Sequence, residues 1–155
     1  MLGSMTMVTV RQTFDSTLVS TYSIEDLALE IARRAGFRGP SLDHISLAVH
    51  ETAVNAVVHG NQYSQEKKVR VEISATGNQF RIRIADQGPG FDPDALLDPS
   101  QPEDLFRSSG RGVSLSRQVM DEYHVRPLCK GGTEVTLVKY LAAAMSNSLP
   151  LALTK

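Results

Sequence analysis

Glu51, Asn55 and His59 recur at intervals of four residues. On a helix each four-residue step overshoots a full turn by about 40°, so the three side chains would form one polar stripe. A carboxylate, a carboxamide and an imidazole suit a general base, an oxygen ligand for a hard cation and a polar positioning group. A solvated helix face also carries a polar stripe, although such faces favour Lys and Glu pairs.

Asp86-Gln-Gly88-Pro-Gly90-Phe-Asp92 follows directly on an alternating apolar run, and Gly88 and Gly90 would let the backbone approach a ligand closely. The bare Gly-x-Gly is equally what a tight turn looks like. It is not a dinucleotide fingerprint, because no third glycine follows on a helix and the preceding segment reads as a hairpin strand. No G-x-x-x-x-G-K-[ST] loop occurs either. Ser108-Ser109-Gly110-Arg111-Gly112 runs straight into a helical pattern. Backbone N–H groups at a helix start, with Arg107 and Arg111 beside them, make either a phosphate cradle or a glycine-rich hinge. Gly131-Gly132-Thr133 is in the same way either a hairpin turn or part of a site.

Other chemistries are excluded. His50-Glu51 opens the zinc-protease pattern H-E-x-x-H, but Val54 stands where the second ligand is required. The histidines at 44, 50, 59 and 124 form no pair at helical spacing, and Ser64-x-x-Lys67 lies in a polar loop. Cys129, the only cysteine, permits neither an intrachain disulfide nor a cysteine-based zinc site.

The elements that must position these residues are legible from periodicity. Val8, Val10, Gln12 and Phe14 alternate as a strand. Ser23 and Asp26 suggest a capped helix from Ser23 to Ala35, ended by Gly36. Pro40-Ser41 opens the longest helix, Ser41 to about His59, with Leu42, Ile45, Val49, Ala53 and Ala56 on its apolar stripe. Val69 to Ala75 and Phe80 to Ile84 alternate on either side of Thr76-Gly77-Asn78, an antiparallel hairpin. Residues 86–112 lose periodicity apart from a turn over 94–97, and so long a loop in a compact domain is usually functional or mobile. A helix from Gly112 to near Glu122, a short strand from Tyr123 to Arg126, and a strand from Thr133 to Leu141 complete the order β-α-α-β-β-loop-α-β-β. The simplest architecture is an α+β two-layer sandwich, with a mixed, mainly antiparallel sheet and helices on one face. Residues 8–141 are then one domain, with 1–7 an N-terminal tail, in which Gly3-Ser4-Met5 reads as a cloning remnant, and 142–155 a C-terminal tail.

The chain has 155 residues, 41% of them hydrophobic, with 16 Lys+Arg against 17 Asp+Glu. That balance gives no expectation of direct nucleic-acid binding. The first residues lack a basic, apolar leader pattern, and no run reaches the ~20 apolar residues of a membrane span. A reducing, cytoplasmic setting without membrane contact is expected.

In order along the chain, E-T-A-V-N-A-V-V-H-G-N at 51–61, D-Q-G-P-G-F-D at 86–92, S-G-R-G-V-S-L-S-R-Q-V-M-D-E at 109–122 and G-G-T-E-V-T-L at 131–137 resemble the N box, G1 box, G2 box and closing strand of the GHKL (Bergerat-fold) ATPases. Within them the chain is most similar to the bacterial anti-sigma-factor serine/threonine kinases, over roughly residues 8 to 140. The resemblance implies ATP and Mg²⁺ as cofactors, Glu51 as general base, Asn55 as the Mg²⁺ ligand, and Asp86 as acceptor from the adenine amino group. It implies Gly88 and Gly90 around the base and ribose, Gly110, Gly112 and Val113 around the phosphates, and Thr133 supporting Asp86. His59 joins the nucleotide-binding set, and Arg107 or Arg111 would meet the terminal phosphate. It further implies a homodimer that sequesters a sigma factor and phosphorylates a STAS-type anti-anti-sigma protein. A second expectation is a nucleotide-gated binding module that transfers no phosphoryl group.

Overall fold

The computed structural model describes residues 7–89 and 109–141, with residues 109–112 described by their backbone alone. The order is β1 (Val8–Asp15), α1 (Leu18–Arg34), α2 (Pro40–Val54), a π-helical turn (Asn55–Gly60), β2 (Lys68–Ala75), β3 (Gln79–Ala85), α3 (Ser109–Val119), β4 (Glu122–Pro127) and β5 (Thr133–Tyr140). The five strands lie in the order β1-β2-β3-β5-β4. The expected α+β sandwich stands, and every pairing among the described strands is antiparallel where a mixed sheet was expected. The turn expected over 94–97 and the 142–155 tail lie outside the described residues.

Strict alternation divides the sheet. Val69, Val71, Ile73, Phe80, Ile82, Ile84 and Leu137 point into one core with Ile24, Ile45, Val49 and Phe37 from the helical layer. Phe37 meets Phe80 edge to face, with centroids 6.3 Å apart. The opposite face carries charge, with Arg11 Nε 2.7 Å from Glu72 and Arg126 Nε 2.8 Å from Glu134. Exposed pairs of this kind contribute little to stability, but they keep the face wetted. Val138 on this polar face is only 1% exposed, because the register sets it between Arg81 and Glu122.

Three helices depart from the bounds that periodicity suggests. Helix α1 begins at Leu18 instead of Ser23: Thr17 is extended (φ −129°, ψ 157°) and its hydroxyl accepts from Ser20 N at 3.2 Å. Ser20 and Thr21 are buried at the start of the inward stripe, and hydropathy does not count small polar residues. Ser23 sits within the helix and donates to the Val19 carbonyl at 3.3 Å. The second helix stays α-helical only to Val54 and widens into a π turn from Asn55. Helix α3 starts at Ser109, not Gly112, and ends at Val119, where Lys139 Nζ donates to the Val119 carbonyl. The Asp121 amide then joins Val138 O at 2.9 Å, which passes the chain into β4.

Replacing Thr17 by Ala should lower stability by about 1 kcal/mol, whereas Ser23→Ala should stay within about 0.5 kcal/mol of the parent. Chemical denaturation ranks the two, and the reverse order would return the helix start to Ser23.

Candidate nucleotide site

Asp86 follows β3 and is 8% exposed. Its backbone continues the β3–β5 pairing, with N–H to Thr133 O at 2.9 Å. Its Oδ1 accepts from the Gly88 amide at 2.9 Å and the Thr133 amide at 3.2 Å. Among the described residues nothing donates to Oδ2. Burial pushes the carboxyl above the ordinary Asp range, and the Gly88 and Thr133 amides and the charge of Lys67 pull it part of the way back.

Three glycines make room for it. A Cβ on Gly60 would run into the Asp86 carboxylate, one on Gly88 into the Gly60 carbonyl, and one on Gly132 into the Asp86 carbonyl. Gly132 also has φ +103°, a left-handed backbone that L side chains rarely adopt. The 60, 86–88 and 132–133 segments therefore meet backbone to backbone, and the carboxylate lies in a collar of peptide groups. Gly60, expected only to stop a helix, is here the wall against which Asp86 packs.

Asn61 holds this arrangement and is wholly buried. Its amide donates to Ser16 Oγ at 2.8 Å and to Lys68 O at 3.1 Å, and its carbonyl accepts from the Gln87 amide at 2.7 Å. Ser16 in turn donates to Lys67 O at 2.5 Å, and Gln87 Oε1 accepts from Lys68 N at 2.6 Å. One side chain thus joins the β1–α1 junction, the start of β2 and the residue after Asp86. The sequence quotes Asn61 as the end of the N box but offers no sign of this role.

The π turn places Asn61 inward. Asn61 N reaches Ala56 O at 2.8 Å, and Tyr63 N reaches Val57 O at 3.0 Å. Gln62 and Tyr63 then take left-handed backbone, φ 51° and 58°, and reverse the chain. A π turn holds more residues than an α turn, so a four-residue step falls short of a full circle instead of overshooting it. The drift from Asn55 to His59 therefore opposes that from Glu51 to Asn55, and the stripe stays aligned. Glu51 and Asn55 are half-buried on it, and His59 is exposed.

Helix α3 packs against α2, and Arg117 ties it to β4, its guanidinium 5.2 Å from the Tyr123 ring centroid. Val113 is half-buried on α3, and Thr133 is buried beside Asp86. Gly110 and Gly112 lie within α3's first turn, by backbone alone, as does Arg111. Gly90 and Arg107 lie outside the described residues. The expected phosphate cradle of glycines ahead of a helix is in part the helix itself.

The family model for the histidine kinase-like ATPase domain matches residues 14–139. The chain belongs to this family. Among curated proteins it is 29% identical to the serine-protein kinase RsbW of Bacillus velezensis over 117 residues, 72% of each chain. It is 31% identical to that of Bacillus licheniformis over 117 residues, again 72% of each, and 26% identical to that of Listeria monocytogenes, covering 72% of this chain and 73% of the relative. The crystal structure of the RsbU and RsbW domains of Rv1364c from Mycobacterium tuberculosis superposes with a TM-score of 0.61 at 19% identity, a likeness of fold. It covers 85% of this chain, which spans 32% of that longer one. The resemblance to the anti-sigma-factor kinases read from the four motifs is upheld, and a histidine kinase-like ATPase domain implies ATP binding.

Asn61→Ala strips the partly buried Gln87 amide and Lys68 carbonyl of these hydrogen bonds, so unfolding should become easier by on the order of 1–3 kcal/mol. Asp86→Asn removes the cost of burying a charge. Since the folded-state pKa of Asp86 is raised, the parent gains stability as pH falls through it towards the unfolded value. The variant should therefore melt above the parent at pH 7, with the gap closing in acid, as calorimetry at both pH values would record.

Proposed function

We propose that the chain is an ATP-dependent protein serine/threonine kinase and anti-sigma factor, which sequesters a sigma factor and phosphorylates a STAS-type antagonist. The observation that carries this reading is the buried Asp86 carboxylate in its glycine collar, packed on Gly60 at the end of the helix that carries Glu51 and Asn55 further back. A carboxylate with Oδ1 taken by the backbone and Oδ2 left by its neighbours is suited to accept from an exocyclic amine, the polar edge of adenine. The peptide-walled collar gives a flat base close approach. Residues 8–141 are the catalytic unit in this reading, and the kinase works as a homodimer in the cytoplasm; among the described residues no helix is long and apolar enough to cross a membrane.

Glu51 would take the proton from the attacking hydroxyl, and Asn55 would present its carboxamide oxygen to Mg²⁺. When bound, Mg²⁺ neutralises charge on the triphosphate. Among the described residues no cluster of three His, Cys, Asp or Glu side chains could hold a metal ion by itself. Mg²⁺ beside a triphosphate is held chiefly by phosphate oxygens and water, with one or two protein ligands. Gly88 and Gly90 would flank base and ribose, His59 the nucleotide, and Gly110, Gly112 and Val113 the phosphates; Thr133 holds Asp86, and Arg107 or Arg111 would meet the terminal phosphate. Such a site acts by positioning and electrostatics and needs no protein nucleophile.

With labelled ATP and a purified STAS protein, label should pass to the STAS protein. Glu51→Ala should slow transfer by about 10²–10⁴ while ATP still binds. Asp86→Asn, which folds by the argument above, should weaken ATP binding by about ten- to a hundredfold, the loss of a hydrogen bond to a charged group. Nucleotide-dependent partner binding without label on the STAS protein would replace the kinase with a nucleotide-gated binding module.

A further inference from the structure

Glu25 on α1 meets Ser46 and His50 on α2 in a polar cluster that the nucleotide site does not use. Ser46 Oγ donates to Glu25 Oε1, and His50 Nδ1 lies 3.0 Å from Glu25 Oε2. That Nδ1 is shut off from water and sits off the line of a hydrogen bond, so its contact with the carboxylate is electrostatic. The Tyr22 ring packs on His50, with centroids 5.2 Å apart, and the Glu25 side chain is only 20% exposed. A carboxylate so enclosed loses free energy if its partners let go, which makes the contact a firm one.

Ser46 and His50 are one turn apart on α2, so a single carboxylate from α1 grips both ends of that turn. Glu51 follows His50 directly, and its carbonyl accepts from the Asn55 amide, where the helix begins to widen. The gripped turn is therefore the stretch of regular helix from which Glu51 projects. The buried face of α2 does not fix its rotation in the same way. Ala48, Val49 and Ala53 there are small and apolar, and apolar contact is non-directional. A rotation of ~10° about the axis carries a side-chain tip ~6 Å out through ~1 Å. A misplacement of ~1 Å at a reacting group costs up to about a hundredfold in rate.

We infer that Glu25 is a positioning residue for Glu51. By holding Ser46 and His50 it sets the rotation of α2, and so the place from which the general base acts; this rests on the kinase reading above. Glu25 works through the helix and not on the reactants.

The test follows label from ATP to a purified STAS protein in the steady state, with the full chain, beside calorimetry of ATP binding. Glu25→Ala should lower kcat by about ten- to a hundredfold. The Kd for ATP and the KM for the STAS protein should stay within about twofold, because neither ground-state contact is touched. Glu25→Gln, which has the same shape and still accepts from Ser46, should keep most of the parent's kcat. In a Glu51→Ala background, Glu25→Ala should change the residual rate by less than about twofold, since groups that act as a unit are not additive. A purely structural role would slow both backgrounds alike, and that result overturns the inference. An unchanged kcat in Glu25→Ala overturns it too, as does a Kd for ATP that worsens in step with kcat. If Glu25→Ala melts below the assay temperature, Ser46→Ala, which removes one of the two grips, takes its place in both backgrounds with the same pattern expected. A parent that passes no label overturns the kinase reading and this inference with it, whereas an active parent insensitive to Glu25→Ala overturns this inference alone.

Discussion

A buried carboxylate is costly unless the backbone around it supplies hydrogen bonds, and Asp86 imposes that condition on three separate parts of the chain. Its Oδ1 takes amides from Gly88 and Thr133, so the turn after β3 and the start of β5 must meet at one point. Its flank presses on Gly60, so the end of the second helix must arrive there too. None of these meetings leaves room for a Cβ, which is the physical reason for glycine at 60, 88 and 132. The bonds recover only part of the desolvation cost, and the carboxyl stays harder to ionise than in water. A group held in that state gains from a ligand that donates to its remaining oxygen.

The π turn and Asn61 solve the matching problem of delivery. A regular helix continued past Val54 would turn its residues on a tighter circle; the wide turn ends with Asn61 fully buried and Gly60 beside Asp86. Asn61 then ties the β1–α1 junction, the start of β2 and Gln87 together. Left-handed residues at 62 and 63 cost of order 1 kcal/mol each, which the satisfied Asn61 network offsets. The irregularity of this helix is thus part of what brings Gly60 against the buried carboxylate and turns Asn61 inward.

The rest of the fold serves this junction. The antiparallel sheet places Asp86 at the end of a central strand, flanked by β2 and β5. Its second face is wet and charged, so the helices and the nucleotide site share one side. Helix α3, fastened at its C-terminal end by Lys139 and Arg117, leaves its N-terminal turn as the part facing the phosphates in the proposed reading.

Much of this was legible in the residues. The alternation of Val69 to Ala75 and Phe80 to Ile84 dictated the hairpin and its buried face, because a two-residue period leaves no freedom in which side chains turn inward. The spacing of Glu51, Asn55 and His59, with the four motifs in order, pointed to the family before any coordinate. What the sequence could not carry was each property that depends on a distant segment. Thr17 capped α1 because Ser20 and Thr21 found burial against the core. Gly60 mattered through Asp86, 26 positions later in the sequence. Asn61 became a clamp only when Ser16, Lys68 and Gln87 came within reach. Local periodicity records the environment of one element, whereas a peptide collar around a carboxylate exists only where three elements converge, and only tertiary structure decides that.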